Sequence, residues 1–469
     1  MKRVIGRPML TLHLILLQLP SGRISLLLGW GKQKQGIVTD LLRRIDGVYN
    51  PSSYLSPPVS PDPYPMEEPT AAGPDWSKLP PDVLTTVLGD LEFPDLFRAA
   101  DVCTAWRATA RALRRLGIYS RPQTPCLLYT TAAAGPRAAE LFSLADKKAY
   151  RARLPDPPIG ERNIIGSSYG WLVTADARSE LHLLNPATGE QVALPSVATI
   201  EQVSPILDRQ GNLERYHLSL HGDDPQPYGV DELRGVLYLK AVLSCDPALG
   251  DCTVVLIHNP YRDLSFARVG DDKWHWMPSA PREPPRYSDC IFGDDGALYA
   301  MDLLGGMYRY AIQGSCATRD MIFKETSPFV AYNGYLSKTS CGSVLQIWRV
   351  KRKTRGEQEE MHTVDIEVYM TDLDKQQIVR VRTLGDYALF IGHNYTCCLS
   401  TQDYPGLLRN HVYFTDDDEY WLIDSKDNRR DVGILDLEDL SATDVVSPQP
   451  WLNWPIPVWI TPSFNKIHK

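Results

Sequence analysis

From residue 163 to 465 the chain is a succession of short strand-forming runs cut by turn residues, and this constrains its fold more than any other feature. "LHLLNPATGEQVALP" (181–195) reads as strand, turn, strand. Asn185-Pro186 opens the turn, and Gly189 supplies a positive φ for the return. "VVLIHNP" (254–260) repeats the first half. "GALYAMDLLGGMYRYAI" (296–312) is a hairpin with Gly305-Gly306 at its tip, and "HVYFTDDDEYWLIDS" (411–425) has the same form with an acidic tip. Such spacing implies a sandwich, barrel or propeller. About 300 residues at roughly 40–50 per unit give six to eight four-stranded blades, which favours a propeller over a double sandwich.

The first 160 residues differ. "MKRVIGRPMLTLHLILLQLP" pairs a basic start with an apolar stretch too short to span a bilayer as a helix. It resembles a signal-peptide core without a small-x-small cleavage site, and with no acidic residue before Asp40 a transit peptide is also open. "PSSYLSPPVSPDPYP" (51–65) is Pro-rich and aperiodic, a linker composition. Residues 1–74 are therefore expected to be a poorly ordered extension and linker, with Met66 as an alternative start. "GPRAAELFSLADKKAYRARLPDPP" (135–158) is expected to begin with a helical turn and continue as strand and turn.

Between them lies "LPPDVLTTVLGDLEFPDLFRAADVCTAWRATARALRRLG" (79–117). Pro81 suits the first helical position, whereas Pro80, followed by a proline, is held extended. Leu84, Val87, Leu88 and Leu91 form one helical stripe; Leu96, Ala99, Cys103 and Trp106 form a second after the new start at Pro94-Asp95. Helices this short do not stand alone in water. The unit is either a cap on the downstream domain or a docking motif whose apolar side chains a partner covers.

Net charge is −8, so the chain as a whole gives no electrostatic case for nucleic acid or anionic membrane. Nine cysteines at irregular spacing are not a disulfide framework and read as reduced core thiols in the cytosol or nucleus. "GSSYG" (166–170) has nucleophile-elbow spacing around Ser168, but a strand, "WLVTA", follows where an elbow requires a helix. The sequon at Asn394 is expected to be unmodified. His393, Cys397, Cys398 and His411 cluster loosely and read as structural; no metal, cofactor or nucleotide site is expected. "RVKRKTRGEQEE" (349–360) reads as a solvated hairpin tip, with a nuclear-localisation signal as the alternative, and "DDDE" (416–419) as another tip.

Trp76-Ser77, Leu79-Pro80, Asp82, Leu84, Leu88, Asp95-Leu96, Arg98, Val102-Cys103 and Trp106-Arg107 together resemble an F-box over its whole length. "TLGDYALFIGHNYTCCLSTQDYPGLLRNHVYFTDDD" (383–418), "GSSYGWLV", "ARVGDDKWHWMP" (267–278), "DVGILDLED" (431–439) and "PVWITPSF" (457–464) resemble plant F-box proteins with a KIB-type β-propeller domain. The long extension departs from that family, whose members usually begin close to the F-box. The resemblance implies an α+β multidomain chain: extension and linker (1–74), an F-box of three short helices (75–117), a propeller (118–465) and a tail (466–469). It implies a non-catalytic substrate-recognition subunit of a Skp–cullin–F-box ubiquitin ligase in the nucleus or cytoplasm. It also implies that Leu79, Pro80, Leu84, Leu88, Leu96, Val102, Cys103 and Trp106 form the Skp-adaptor face or the small core beneath it. The alternatives are an interaction scaffold with a degenerate F-box and a propeller hydrolase using Ser168.

Overall fold

The computed structural model describes residues 76–115, 123–219, 225–277, 285–324, 333–354, 360–417 and 426–467. The expectations for residues 1–74 lie outside these. A 3-10 turn at Trp76–Lys78 leads into three helices: α1 (Pro81–Gly89), α2 (Phe93–Val102) and α3 (Thr104–Arg115). Pro80 is extended at φ −55° and ψ 140°, and α1 starts on Pro81, as the doubled proline requires. Leu84, Leu88, Leu91, Leu96, Ala99 and Trp106 are buried, so both stripes face a core.

Strands dominate the rest, in seven antiparallel-dominated sheets among the described residues, with one short helix at Leu233–Leu237. Blade 1 combines Cys126–Tyr129, Ala138–Ser143 and Ala149–Arg153 with the C-terminal strand Val458–Ile460, which pairs antiparallel to Cys126–Tyr129. Blade 2 spans Asn163–Ser168 to Gln191–Ala193, blade 3 Tyr238–Leu243 to His275–Met277, blade 4 Tyr287–Phe292 to Cys316–Phe323, and blade 5 Asn333–Lys338 to Gln377–Val381. Blade 6 is irregular: Cys397–Ser400 is innermost, and Tyr387–Ile391 pairs in parallel with His411–Phe414.

Six apolar clusters among the described residues reveal the ring. Ile164 and Leu172 of blade 2 pack with Leu128 and Val458 of blade 1. Trp171 and Val173 pack with Ala241 and Val254 of blade 3, Val255 and Phe266 with Cys290 and Leu298 of blade 4, and Ile291 and Met301 with Leu336 and Trp348 of blade 5. Ile347 and Val368 pack with Leu389 and Val412 of blade 6, whose Phe390 and Tyr413 meet Leu127 and Trp459 of blade 1. Each blade buries one face on each neighbour, and the circle closes on blade 1. The seventh sheet (Val203–Leu207, Leu213–Leu218, Gln226–Tyr228) is an insertion. Blades 2 and 3 meet directly at the axis instead, where a side chain on Gly166 would run into the Ala241 carbonyl.

The hairpins at Asn185 and Gly305 fall where the sequence places them, with φ of 73° at Gly189 and 84° at Gly305. Two expectations need correction. Residues 138–143 form a strand, not a helical turn, because alternate residues there pair on both sides within blade 1. His411–Phe414 finds its partners at Tyr387–Ile391 and Gly433–Asp436, not in an immediate hairpin.

Candidate functional sites: the helical handle and the axial channel

The helical unit is seated on the propeller. Its buried side chains share one cluster with Leu128, Leu141, Ile164, Val458 and Phe464 of blades 1 and 2 and the C-terminal segment. The Arg98 guanidinium donates to Asp95 at 2.9 Å, Asp146 at 2.5 Å and the Tyr150 hydroxyl at 2.6 Å, tying α2 to blade 1. The Glu92 carboxylate accepts from the Thr124 amide at 3.4 Å, and Phe97 and Phe464 rings lie 5.5 Å apart. Inside the unit, Trp106 Nε1 donates to the Trp76 carbonyl at 3.1 Å.

This geometry divides the eight residues that the sequence could not divide. Leu84, Leu88, Leu96 and Trp106 are core, covered by the chain's own residues. Leu79, Val102 and Cys103 are half-buried at the margin of the same core, and Pro80 is exposed. The unit is a cap on blades 1 and 2 that leaves these four residues only partly covered.

The axial channel is filled by the chain itself. After Ile391 the backbone leaves blade 6 and crosses the axis as Gly392-His393-Asn394-Tyr395-Thr396. Asn394 forms a parallel bridge with Ser167 of blade 2, and the Tyr395 amide donates to the Ser167 carbonyl at 2.6 Å. The Tyr395 hydroxyl donates to the Phe292 carbonyl of blade 4 at 3.2 Å. Thr396 Oγ1 donates to Asp289 at 2.9 Å. Asp289 also holds Lys240 of blade 3 at 2.7 Å and the Leu336 amide of blade 5 at 3.0 Å. One segment therefore joins five blades. It requires glycine at 392, where φ is 139° and a Cβ would collide with Thr415 Oγ1. Asn394, the sequon residue, is buried and donates to the Phe390 and Tyr395 carbonyls at 3.2 and 2.9 Å, which denies it to a glycan.

Beside this plug lies a cavity of about 50 Å³ bordered by Lys240, Asn333, Tyr335, His393 and Asp417. A buried ion network backs it. Arg349 donates to Asp417 at 3.2 Å, Asp431 at 2.9 Å, the Thr415 carbonyl at 2.6 Å and Thr363 Oγ1 at 2.8 Å. Lys351 reaches Asp417 at 2.9 Å and Asp416 at 3.8 Å, and the Tyr335 hydroxyl donates to Asp417 at 2.5 Å. Burial pushes the Asp417 carboxyl up, but Lys351 and Arg349 outweigh it and hold it well below the usual carboxylate range. Asp416, more weakly paired, is raised by burial. Residues 349–360 do form the hairpin that the sequence predicts between two blade 5 strands, but its base is not solvated: Arg349 and Lys351 are buried against Asp416 and Asp417, while Arg352 and Lys353 are exposed. Its tip at 355–359 and the end of the acidic run at 418–419 lie outside the described residues.

Ser168 ends a blade 2 strand, Tyr169-Gly170 form a tight turn at φ 51° and 84°, and Trp171 starts the next strand. Ser168 Oγ is buried and accepts from the Leu243 amide at 3.3 Å, an inter-blade bond rather than an exposed nucleophile. Among the described residues no group of three or more His, Cys, Asp or Glu side chains is placed to hold a metal ion. Burial pushes the Cys397 and Cys398 thiols up to about 12 and pulls His393 down to about 4.

His258 is likewise pulled down to about 4 by burial. Its Nδ1 donates to the Asn259 carbonyl at 2.8 Å, so Nε2 accepts from Ser265 Oγ at 2.8 Å and has no room for a second proton. Both histidines are neutral in the fold and take up protons on unfolding below about pH 6.5. Their stabilising contribution is full above that pH and is lost as pH falls toward 4. Urea titrations should show stability falling by about 2–3 kcal/mol per histidine between pH 7 and 4.5. His258→Asn should remove about half of that pH dependence.

Comparison with known proteins adds family relationships. A family model described as KIB1-4 beta-propeller matches residues 141–436, and one described as F-box-like matches residues 76–115. An F-box protein of Arabidopsis thaliana is 23% identical over 83% of this chain and 97% of its own length. F-box protein KIB3 of the same plant is 24% identical over 72% of this chain and 70% of its own, and F-box protein KIB4 is 21% identical over 71% and 80%. Among solved structures, TolB from Acinetobacter baumannii aligns at TM-score 0.31 and 12% identity, over 76% of this chain and 73% of its own.

Proposed function

The chain belongs to the KIB1-4 β-propeller family with an F-box-like domain, and on that premise we propose that it is the substrate-recognition subunit of a Skp–cullin–F-box ubiquitin ligase. The observation that carries this reading is the incomplete cover of the helical unit. The unit is fused to the propeller through Arg98, Phe97 and a common core, while Leu79, Val102 and Cys103 are only half-buried and Pro80 is exposed. A rigid joint of this kind suits a subunit that works by placement. The adaptor holds one end, a target protein sits on loops of the propeller, and its effective concentration near the conjugating enzyme rises. No residue of this chain performs a chemical step in the scheme. The plugged axis supports it, because the channel where a catalytic funnel would open is filled by residues 392–396 of the chain itself. The working location in this scheme is the nucleus or the cytoplasm.

The test is a binding assay between the full chain and a purified Skp-type adaptor. Leu79→Ala with Pro80→Ala should weaken binding by at least about tenfold while leaving the melting temperature within a few degrees. Leu84→Asp with Leu88→Asp would also abolish binding, but by unfolding the helices, since both side chains are buried. A folded wild-type chain that fails to bind the adaptor overturns the ligase reading and leaves a scaffold.

A further inference from the structure

A cavity of about 240 Å³ opens where blades 6, 1 and 2 meet, against the other flank of the plug. Its wall is aromatic: Tyr169, Phe390, Tyr395, Tyr404 and Trp459, with Leu399 from the innermost strand of blade 6. For scale, an apolar cavity of about 150 Å³ in another protein stays dry and accepts benzene. Close behind the wall, buried Trp459 Nε1 and Asn394 Oδ1 have no partner among the described residues, but neither atom opens into the cavity. Buried polar groups in that condition cost stability unless something pairs with them.

A second observation singles out the same place. Tyr169 has φ 51° in a two-residue hairpin turn, where asparagine or glycine is the usual occupant. A bulky residue in that region is strained. Gly170 beside it is fixed, since a Cβ there would lie 2.5 Å from the Ser463 backbone nitrogen. The strained residue is not packed away: Tyr169 is 42% exposed, and its ring meets that of Tyr395 at 5.9 Å. Strain retained on an exposed aromatic ring at a cavity rim is what a ligand contact would explain.

We propose that this cavity is a binding site for a free, planar aromatic small molecule. The ring packs among Tyr395, Leu399 and Tyr404, whose side chains keep exposed surface, and Tyr169 closes over it. The inference goes beyond the ligase reading and does not depend on it, because the site would fill with or without an adaptor.

The test titrates the full chain with benzamide and indole by calorimetry and ligand-observed NMR, without adaptor. Cyclohexanecarboxamide is the non-planar control, and a short peptide bearing one phenylalanine is the macromolecular control. Both aromatic probes should bind with Kd below about 1 mM, and the non-planar control at least about tenfold more weakly. Leu399→Trp, which fills the cavity, should abolish probe binding with the fold retained; Thr461→Trp replaces it if Leu399→Trp does not fold. Tyr169→Gly should raise the melting temperature and weaken the probes several-fold, a combination that a purely structural tyrosine would not give. The proposal is overturned by absence of probe binding to wild type, by equal binding to the filled variant, or by a peptide that binds where both free probes fail.

Discussion

Replacing Arg349 with methionine is expected to lower the unfolding free energy by about 3–5 kcal/mol, read as a shift in the urea midpoint at constant slope. The magnitude follows from what is left behind. Asp417 and Asp431 would stay buried, each deprived of its guanidinium at 3.2 and 2.9 Å. The Thr415 carbonyl would lose its donor, and the Phe414 ring the cation 4.8 Å from its centroid. Lys351 remains on Asp417 at 2.9 Å, which keeps the loss finite. Arg349→Lys should fall between wild type and Arg349→Met, because an ammonium cannot reproduce the fork that bridges blades 5 and 6. Arg352→Met, three residues away and exposed, should change stability by less than about 0.5 kcal/mol. If Arg349→Met were as mild as Arg352→Met, the network would not be the clamp described above.

The same residues show where sequence reading reaches and where it stops. Strand period and turn residues are local signals, so the hairpins at Asn185 and Gly305, the helix start at Pro81 and the strand after "GSSYG" were all legible. A propeller of six to eight blades follows from length and spacing alone, and the observed seven sheets, six of them around the axis, lie inside that range. Pairings across 66 to 82 residues are not local. Arg349 and Asp417 each sit in a run that looks solvated by itself, and only ring closure makes them partners. Period 2 offered a partial hint, since Arg349 and Lys351 lie on one face of a strand that continues an apolar run. The plug had a weaker signal: Gly392 between the buried run "YALFI" and the polar "HNYT" marks a place where a strand stops and backbone must approach something closely. In the helical unit, hydrophobic spacing located both stripes. It could not separate Leu84 and Leu88, buried by this chain, from Leu79 and Pro80, left only partly covered, because what covers a helix face is decided by a domain far along the sequence.

Deletion of residues 457–469 is expected to abolish the cooperative folding transition of the whole chain, although it removes only one strand and a short tail. Val458, Trp459, Ile460 and Phe464 are all nearly fully buried. At about 1.5–3 kcal/mol for each large apolar side chain, their loss is worth roughly 6–12 kcal/mol, comparable to the entire stability of an ordinary domain. The damage also concentrates at the closure. Without Val458–Ile460, the strand Cys126–Tyr129 becomes an unpaired edge, and Phe390 and Tyr413 of blade 6 lose the Trp459 ring 5.3 and 5.7 Å away. Phe464 leaves Phe97, so the joint between handle and propeller loosens at the same stroke. Circular dichroism melting should change from one sharp transition to a broad one, with dye binding at low temperature showing exposed apolar surface. A synthetic peptide of residues 455–469 added in trans should restore a concentration-dependent transition, because the vacated edge and its flanking pockets are complementary to that strand. A truncated chain that melts as sharply as wild type, within a few degrees, would show that the ring does not depend on its C-terminal strand, and the account of closure given by blades 6 and 1 would have to be abandoned.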